Sequence, residues 1–216
     1  MLDCKVSRLY WSGFHAKKIN DVLIDIFPEW SALNVQLETR RVLLLRNKDD
    51  LDQLIIRAEI DQLLRRSLVS PPGRLDPTAK SIWRALAVYK LSQSDYENAL
   101  FIKRLWQAGH WPKLKRDGAK ASDAAWLLAQ HADFDQPLQL DILKHLGRLR
   151  EDGEVSGKNY AFLYDRVWGE LRGKQRYGTQ WFCRDGIARL QDLENPSQLD
   201  TRNNRDFGDL IGRGAA

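Results

Sequence analysis

Several helical stretches of this 216-residue sequence place proton-carrying or hydrogen-bonding side chains where helix geometry asks for apolar ones. The stripe Leu51, Leu54, Ile55, Ala58 runs at helical spacing directly onto Asp61, Gln62 and Arg65. Ala124, Leu127 and Leu128 lead at the same spacing to His131, which follows Gln130. Gln139 shares a face with Ile142, Leu143 and Leu146, and Asp165-Arg166 lies beside the stripe Tyr160, Leu163, Tyr164, Val167. Left without partners in an interior, such groups cost about 1 to 3 kcal/mol each, and more when charged. They must therefore bond to one another, to water or to a ligand. For any single residue, a polar network that fixes helix register is sufficient explanation. For the set, the expectation is one shared ligand pocket.

The chemistry follows from residue type. His131 has an unperturbed pKa of about 6.5 and is the candidate general acid or base, with Asp165 expected to orient one ring nitrogen. Asp61, Gln62, Arg65, Gln130 and Arg166 would bind substrate or stabilise developing charge. The segment Gln175-Arg176-Tyr177-Gly178-Thr179-Gln180 adds donors and acceptors around a glycine that lets backbone approach a ligand. Gln175, Tyr177, Gly178, Thr179 and Gln180 are accordingly binding candidates, against the alternative of a turn that enters a hairpin. The run His131-Ala132-Asp133-Phe134-Asp135 offers no second histidine at a matched helical spacing, so no metal and no cofactor are expected, and whether a metal joins His131 stays open. Gly-rich phosphate loops, Gly-x-Ser-x-Gly elbows and paired-cysteine motifs are absent.

These residues need helices to hold them. Periodicity predicts helices over residues 14–27 and 31–48, and another from a box formed by Asp50 and Gln53 to about Leu68. The Pro- and Gly-containing stretch 69–73 is the best linker candidate. Asp76-Pro77 opens a helix to about Leu91, and a separate one is predicted over 94–108 with Gly109 as its cap. Helices over 121–132, 137–152 and from Ser156 to about Leu171 follow. Aromatic and apolar residues at 177–183 and 187–190 flank Asp185-Gly186, which reads as a small β-hairpin, and an irregular tail packed by Leu199 and Phe207 ends the chain. The expected fold is mainly α, a compact multi-helix domain with a small C-terminal β-hairpin. Residues 1–48 are expected as an N-terminal helical extension and 49–216 as the domain that carries the pocket.

Composition bounds the rest. Hydrophobic residues make up 43% and charged residues 29%, which is a folding composition. No apolar run approaches the roughly 18 residues that span a bilayer, and the N-terminus does not read as a secretory signal, so a cytoplasmic protein with no membrane partner is expected. Cys4 and Cys183 are expected to be free thiols. The net charge of +5 is spread along the chain, so nucleic-acid binding through Lys113, Lys115, Arg116 and Lys120 ranks last.

From about residue 61 to 210 the chain resembles an uncharacterised bacterial helical family, a domain of unknown function. Its marks are Asp-Gln, a Gly-Trp-Pro-like loop, Gln-His-Ala-Asp, Asp-Arg and Gln-x-Tyr-Gly-Thr-Gln. Here they stand as Asp61-Gln62, Gly109 before His110-Trp111-Pro112, Gln130-His131-Ala132-Asp133, Asp165-Arg166 and the 175–180 segment, with His110 as a departure inside the loop. The resemblance implies a helical domain and assigns no activity. The functional expectation is an enzyme acting on a small polar or peptide-like substrate by general acid–base chemistry centred on His131. The alternative is a non-catalytic ligand- or protein-binding module, with residues 1–48 contacting a protein partner.

Overall fold

A computed structural model describes residues 13–184 and 187–199. Among them run seven helices: α1 (Gly13–Ile26), α2 (Pro28–Arg46), α3 (Asp50–Val69), α4 (Pro77–Gln107), α5 (Leu114–Gln130), α6 (Gln136–Glu151) and α7 (Gly157–Arg172). Two antiparallel strands follow, β1 (Trp181–Arg184) and β2 (Ile187–Leu190), then a short 3-10 turn (Pro196–Gln198). The fold is mainly α with a small C-terminal hairpin, as expected. Among the described residues, no helix is long and apolar enough to cross a membrane. The chain divides into two compact units, residues 1–98 and 99–216, so the boundary expected after residue 48 falls inside the first.

The first unit is built on α1, α2, α3 and most of α4. Pro28 opens α2 without losing a helical hydrogen bond, and α2 buries Trp30, Leu33 and Leu37. Asp49, one residue before the expected cap, starts α3: its carboxylate accepts the N–H groups of Leu51 and Asp52, both at 2.9 Å. The core joins Trp30, Leu33 and Leu37 to Ile60, Leu64, Trp83 and Leu86. Trp30 and Trp83 meet edge to face at 4.6 Å, and their indole N–H groups donate to Asn20 Oδ1 and to the Ser67 carbonyl.

The two helices expected over 76–91 and 94–108 are one continuous α4. Ser92, in the stretch between the two expected helices, turns its hydroxyl back onto the Val88 carbonyl at 2.9 Å, so it satisfies itself inside the helix. Asp76 caps the helix start by accepting from Ala79 N–H.

In the second unit, α7 is covered by both α5 and α6. This explains why so many of its residues are buried, Asn159, Ala161, Leu163, Asp165, Val167 and Gly169 among them. Asp135 caps α6 through Leu138 N–H, and Gly173 closes α7 at φ +70°. Asp185 and Gly186, the expected hairpin turn, and Phe207 lie outside the described residues; Leu199 packs against Gly178. Cys183 is disulfide-bonded, which corrects the expectation of two free thiols; Cys4 lies outside the described residues.

Candidate functional site

In the first unit, α3 and α4 run antiparallel and bring two carboxylates to one guanidinium. Arg65 Nε lies 3.1 and 3.2 Å from the two oxygens of Asp61, and its NH2 group donates to Asp95 Oδ1 at 2.8 Å. Gln62 Nε2 donates to Asp61 Oδ2 at 2.9 Å. Asp61 is fully buried, whereas the Asp95 side chain keeps 22% of its surface and Arg65 keeps 29%. Burial drives the Asp95 pKa up to about 7; the Arg65 charge opposes this, and the neighbouring Asp61 carboxylate reinforces it. The result is a carboxyl group that titrates near neutrality and is within reach of solvent, backed by a second carboxylate sealed beneath it. Asp61, Gln62 and Arg65 were expected site residues. Asp95 was not, because splitting α4 hid its face. Read as one helix, Leu91, Asp95, Asn98 and Ile102 fall at i, i+4, i+7 and i+11, and the other three are buried.

In the second unit, the end of α5 gathers Gln130, His131 and Asp133 against α6 and α7. His131 is not a helical interior residue as expected. It is the C-cap of α5, half-buried, with φ −94° and ψ 4°. Gln139 Nε2, on α6, donates to the carbonyls of Ala129 and Gln130 at 3.1 Å and to Asp133 Oδ1 at 3.3 Å, so it ties off the helix end. Arg166 makes a two-pronged pair with Asp133: its Nε donates to Oδ1 at 2.7 Å and its NH2 group to Oδ2. Although burial pushes the Asp133 pKa up, the Arg166 pair, Gln139 and the charge of His131 hold it below the ordinary value. Gln130 is only 8% exposed, yet its Oε1 has no hydrogen-bond partner among the described residues. Trp126 Nε1 and Ser122 Oγ share that condition and lie one and two turns back along α5.

Asp165 does not orient the histidine. Its carboxylate is committed to the segment that follows α7, accepting N–H bonds from Arg176 at 2.7 Å, Tyr177 at 2.9 Å and Thr179 at 2.9 Å, and the Thr179 hydroxyl at 2.9 Å. Burial raises its pKa against these four donors. The roles expected for the 175–180 residues change accordingly. Gln175 is buried and uses its side-chain amide like a peptide group: Oε1 accepts Gln180 N–H at 2.7 Å, and Nε2 donates to the carbonyls of Gln180 and Gln191. Tyr177 is 3% exposed and packs against Tyr160 and Tyr164, so its ring is core. Gly178 supplies φ +75°, which turns the chain back so that Thr179 can reach Asp165. Most of this segment folds the loop itself.

Two expected residues, Arg166 and Gln180, do line a cleft of about 390 Å³ between the last turns of α7 and the hairpin. Glu170, Trp181, Gln191 and Asp192 share its wall. Sequence periodicity missed Gln191 and Gly169. Gln191 Nε2 donates to the Gly169 carbonyl at 2.9 Å, and a Cβ at position 169 would stand 2.5 Å from Gln191 Oε1. A glycine within a helix that otherwise carries bulky residues was the available signal.

No family model, no curated protein and no solved structure matches this chain.

Proposed function

We propose that the chain is an enzyme that acts on a small polar or peptide-like substrate by general acid–base chemistry, with the Asp61–Arg65–Asp95 constellation as its proton-handling centre. The observation that carries this reading is the asymmetry of the pair. Asp61 is sealed and bonded by Arg65 and Gln62, whereas Asp95 takes one arm of the guanidinium, lies beside the Asp61 carboxylate and keeps 22% of its side-chain surface. A carboxyl group drawn out of water beside a second carboxylate exchanges its proton near neutral pH, as Asp95 does. Arg65 then serves both to hold the pair and to offer positive charge where negative charge develops. His131, the base expected from its residue type, is a second titratable group to be tested on its own.

The buried, unpartnered Gln130 Oε1 favours a second reading, a ligand-binding module without turnover. One experiment separates the two. A metabolite-library thermal-shift screen identifies ligands, and mass spectrometry of each hit shows whether it is consumed. Under the enzyme reading, Asp95→Asn lowers turnover by about 100-fold or more while circular dichroism and melting stay native. Hits that bind but are never consumed leave the binding module. Undiminished turnover in Asp95→Asn with loss in His131→Ala would move the proton-handling role to the imidazole.

A protein partner for the N-terminal region is likewise a proposal. It is supported by the exposed Val35, Val42 and Leu43, which line a shallow groove of about 610 Å³ along α2.

A further inference from the structure

The cleft beside α7 has a chemistry of its own. Its two walls are stitched together where Gln191 Nε2 meets the Gly169 carbonyl at 2.9 Å and where Gln191 N–H meets the Gln180 carbonyl at 3.1 Å. The residues that immediately follow the three stitched positions are Glu170, Asp192 and Trp181. All three line the cavity, so the covalent chain delivers two carboxylates and an indole to one rim. Glu170 and Asp192 are exposed, and neither enters an ion pair among the described residues. Arg166 also lines the cleft, but its guanidinium is engaged in the two-pronged bond to Asp133. The carbonyl end of α7, closed by Gly173, adds partial negative charge in the same place. Trp181 keeps 48% of its surface exposed, which leaves ring face available.

An anion entering here would meet two carboxylates that have no ion-pair partner among the described residues, and the negative end of a helix. A neutral guest would have to desolvate both carboxylates without return. A cation meets charge, carbonyl dipole and an aromatic face together, the combination that favours ammonium and guanidinium groups.

We propose that this cleft is a recognition site for an organic cation, a guanidinium or ammonium head group carried either by a peptide side chain or by a free polyamine. The site lies wholly within residues 166–192 and is independent of the acid–base reading above. It can therefore hold or fall on binding data alone.

Isothermal titration of the full chain with N-acetyl-arginine amide, its neutral isostere N-acetyl-citrulline amide, and spermidine tests the idea. At least one of the two cations should bind saturably, with the citrulline analogue weaker by roughly tenfold or more. The double variant Glu170→Gln/Asp192→Asn, both exposed positions that tolerate an amide, should weaken cation binding by about tenfold, and Trp181→Leu by roughly three- to fivefold. Glu151→Gln, outside the cleft, and Asp95→Asn should bind as the parent does. Binding of the arginine amide alone assigns a peptide side chain, spermidine alone a free polyamine, and both a site that reads charge; each supports the proposal. Absence of saturable binding by either cation overturns it, as do equal affinity for citrulline or undiminished binding by the double variant.

Discussion

Asp165 and Thr179 are joined twice, since the Thr179 N–H and the Thr179 hydroxyl both donate to Asp165 Oδ2 at 2.9 Å. With the Arg176 and Tyr177 N–H groups on the same carboxylate, the loop after α7 is folded around a buried anion. Asp165→Asn keeps the shape but turns one acceptor into a donor facing N–H groups. A loss of about 3 to 5 kcal/mol in urea unfolding is expected, with the amides of residues 176–179 losing hydrogen-exchange protection first. Unchanged stability with full protection at those amides would show that the carboxylate is dispensable.

Asp95 sets a pH dependence with a definite sign. Its pKa rises on folding, from the ordinary carboxylate value near 3.8 to about 7, so the folded state binds the proton more tightly than the unfolded one. The contribution is fully present below about pH 4 and is lost as pH climbs through about 7. Parent stability should fall over that window, and Asp95→Asn should flatten the profile, with a difference of about 1 to 4 kcal/mol between its two ends. Denaturant midpoints measured across the window decide it; parallel profiles for the two proteins would refute the assignment.

Gly169→Ala inverts a familiar substitution effect. Alanine within a helix normally gains about 0.5 to 1 kcal/mol over glycine. Here the new methyl displaces the Gln191 amide and its bond to the Gly169 carbonyl, which is worth about 0.5 to 1.5 kcal/mol. The single variant should be neutral or destabilised, whereas in a Gln191→Ala background the ordinary gain should return. A double-mutant cycle reads this directly, and additivity would argue against the contact.

Gln139 closes the end of α5 from a neighbouring helix, donating to the Ala129 and Gln130 carbonyls. Gln139→Leu keeps the volume but strands those carbonyls at a cost of about 1 to 3 kcal/mol. If the helix end is held this way, protection should drop around residues 129–133, and global unfolding should stay cooperative. Protection spread evenly over the whole second unit would contradict it.

The helices were legible because their apolar residues recur at helical spacing and their ends carry Pro, Asp and Gly. Inward-facing polar residues were found by the same logic, as Asp61, Gln139 and Asp165 show. What each one bonds was not legible. Asp165 and Gln175 satisfy backbone groups of a loop close in sequence, and a helical wheel contains no such loop. Asp95 escaped because two helices were expected where one continuous α4 runs, with the Ser92 hydroxyl closing on its own turn between them. His131 sits one step past the helical geometry that had pointed it inward, because residue 131 leaves the helix as its cap.

The side-chain amide of Gln175 has a consequence for the strands downstream. Paired strands of only four residues can slide past one another at little cost, and a one-residue slip would exchange their faces. Gln175 grips the first strand just before it starts and the second just after it ends, holding the N–H and carbonyl of Gln180 and the carbonyl of Gln191. Trp181 is thereby set opposite Leu190 from outside the ladder, and the alignment of the hairpin is decided by a residue that belongs to neither strand.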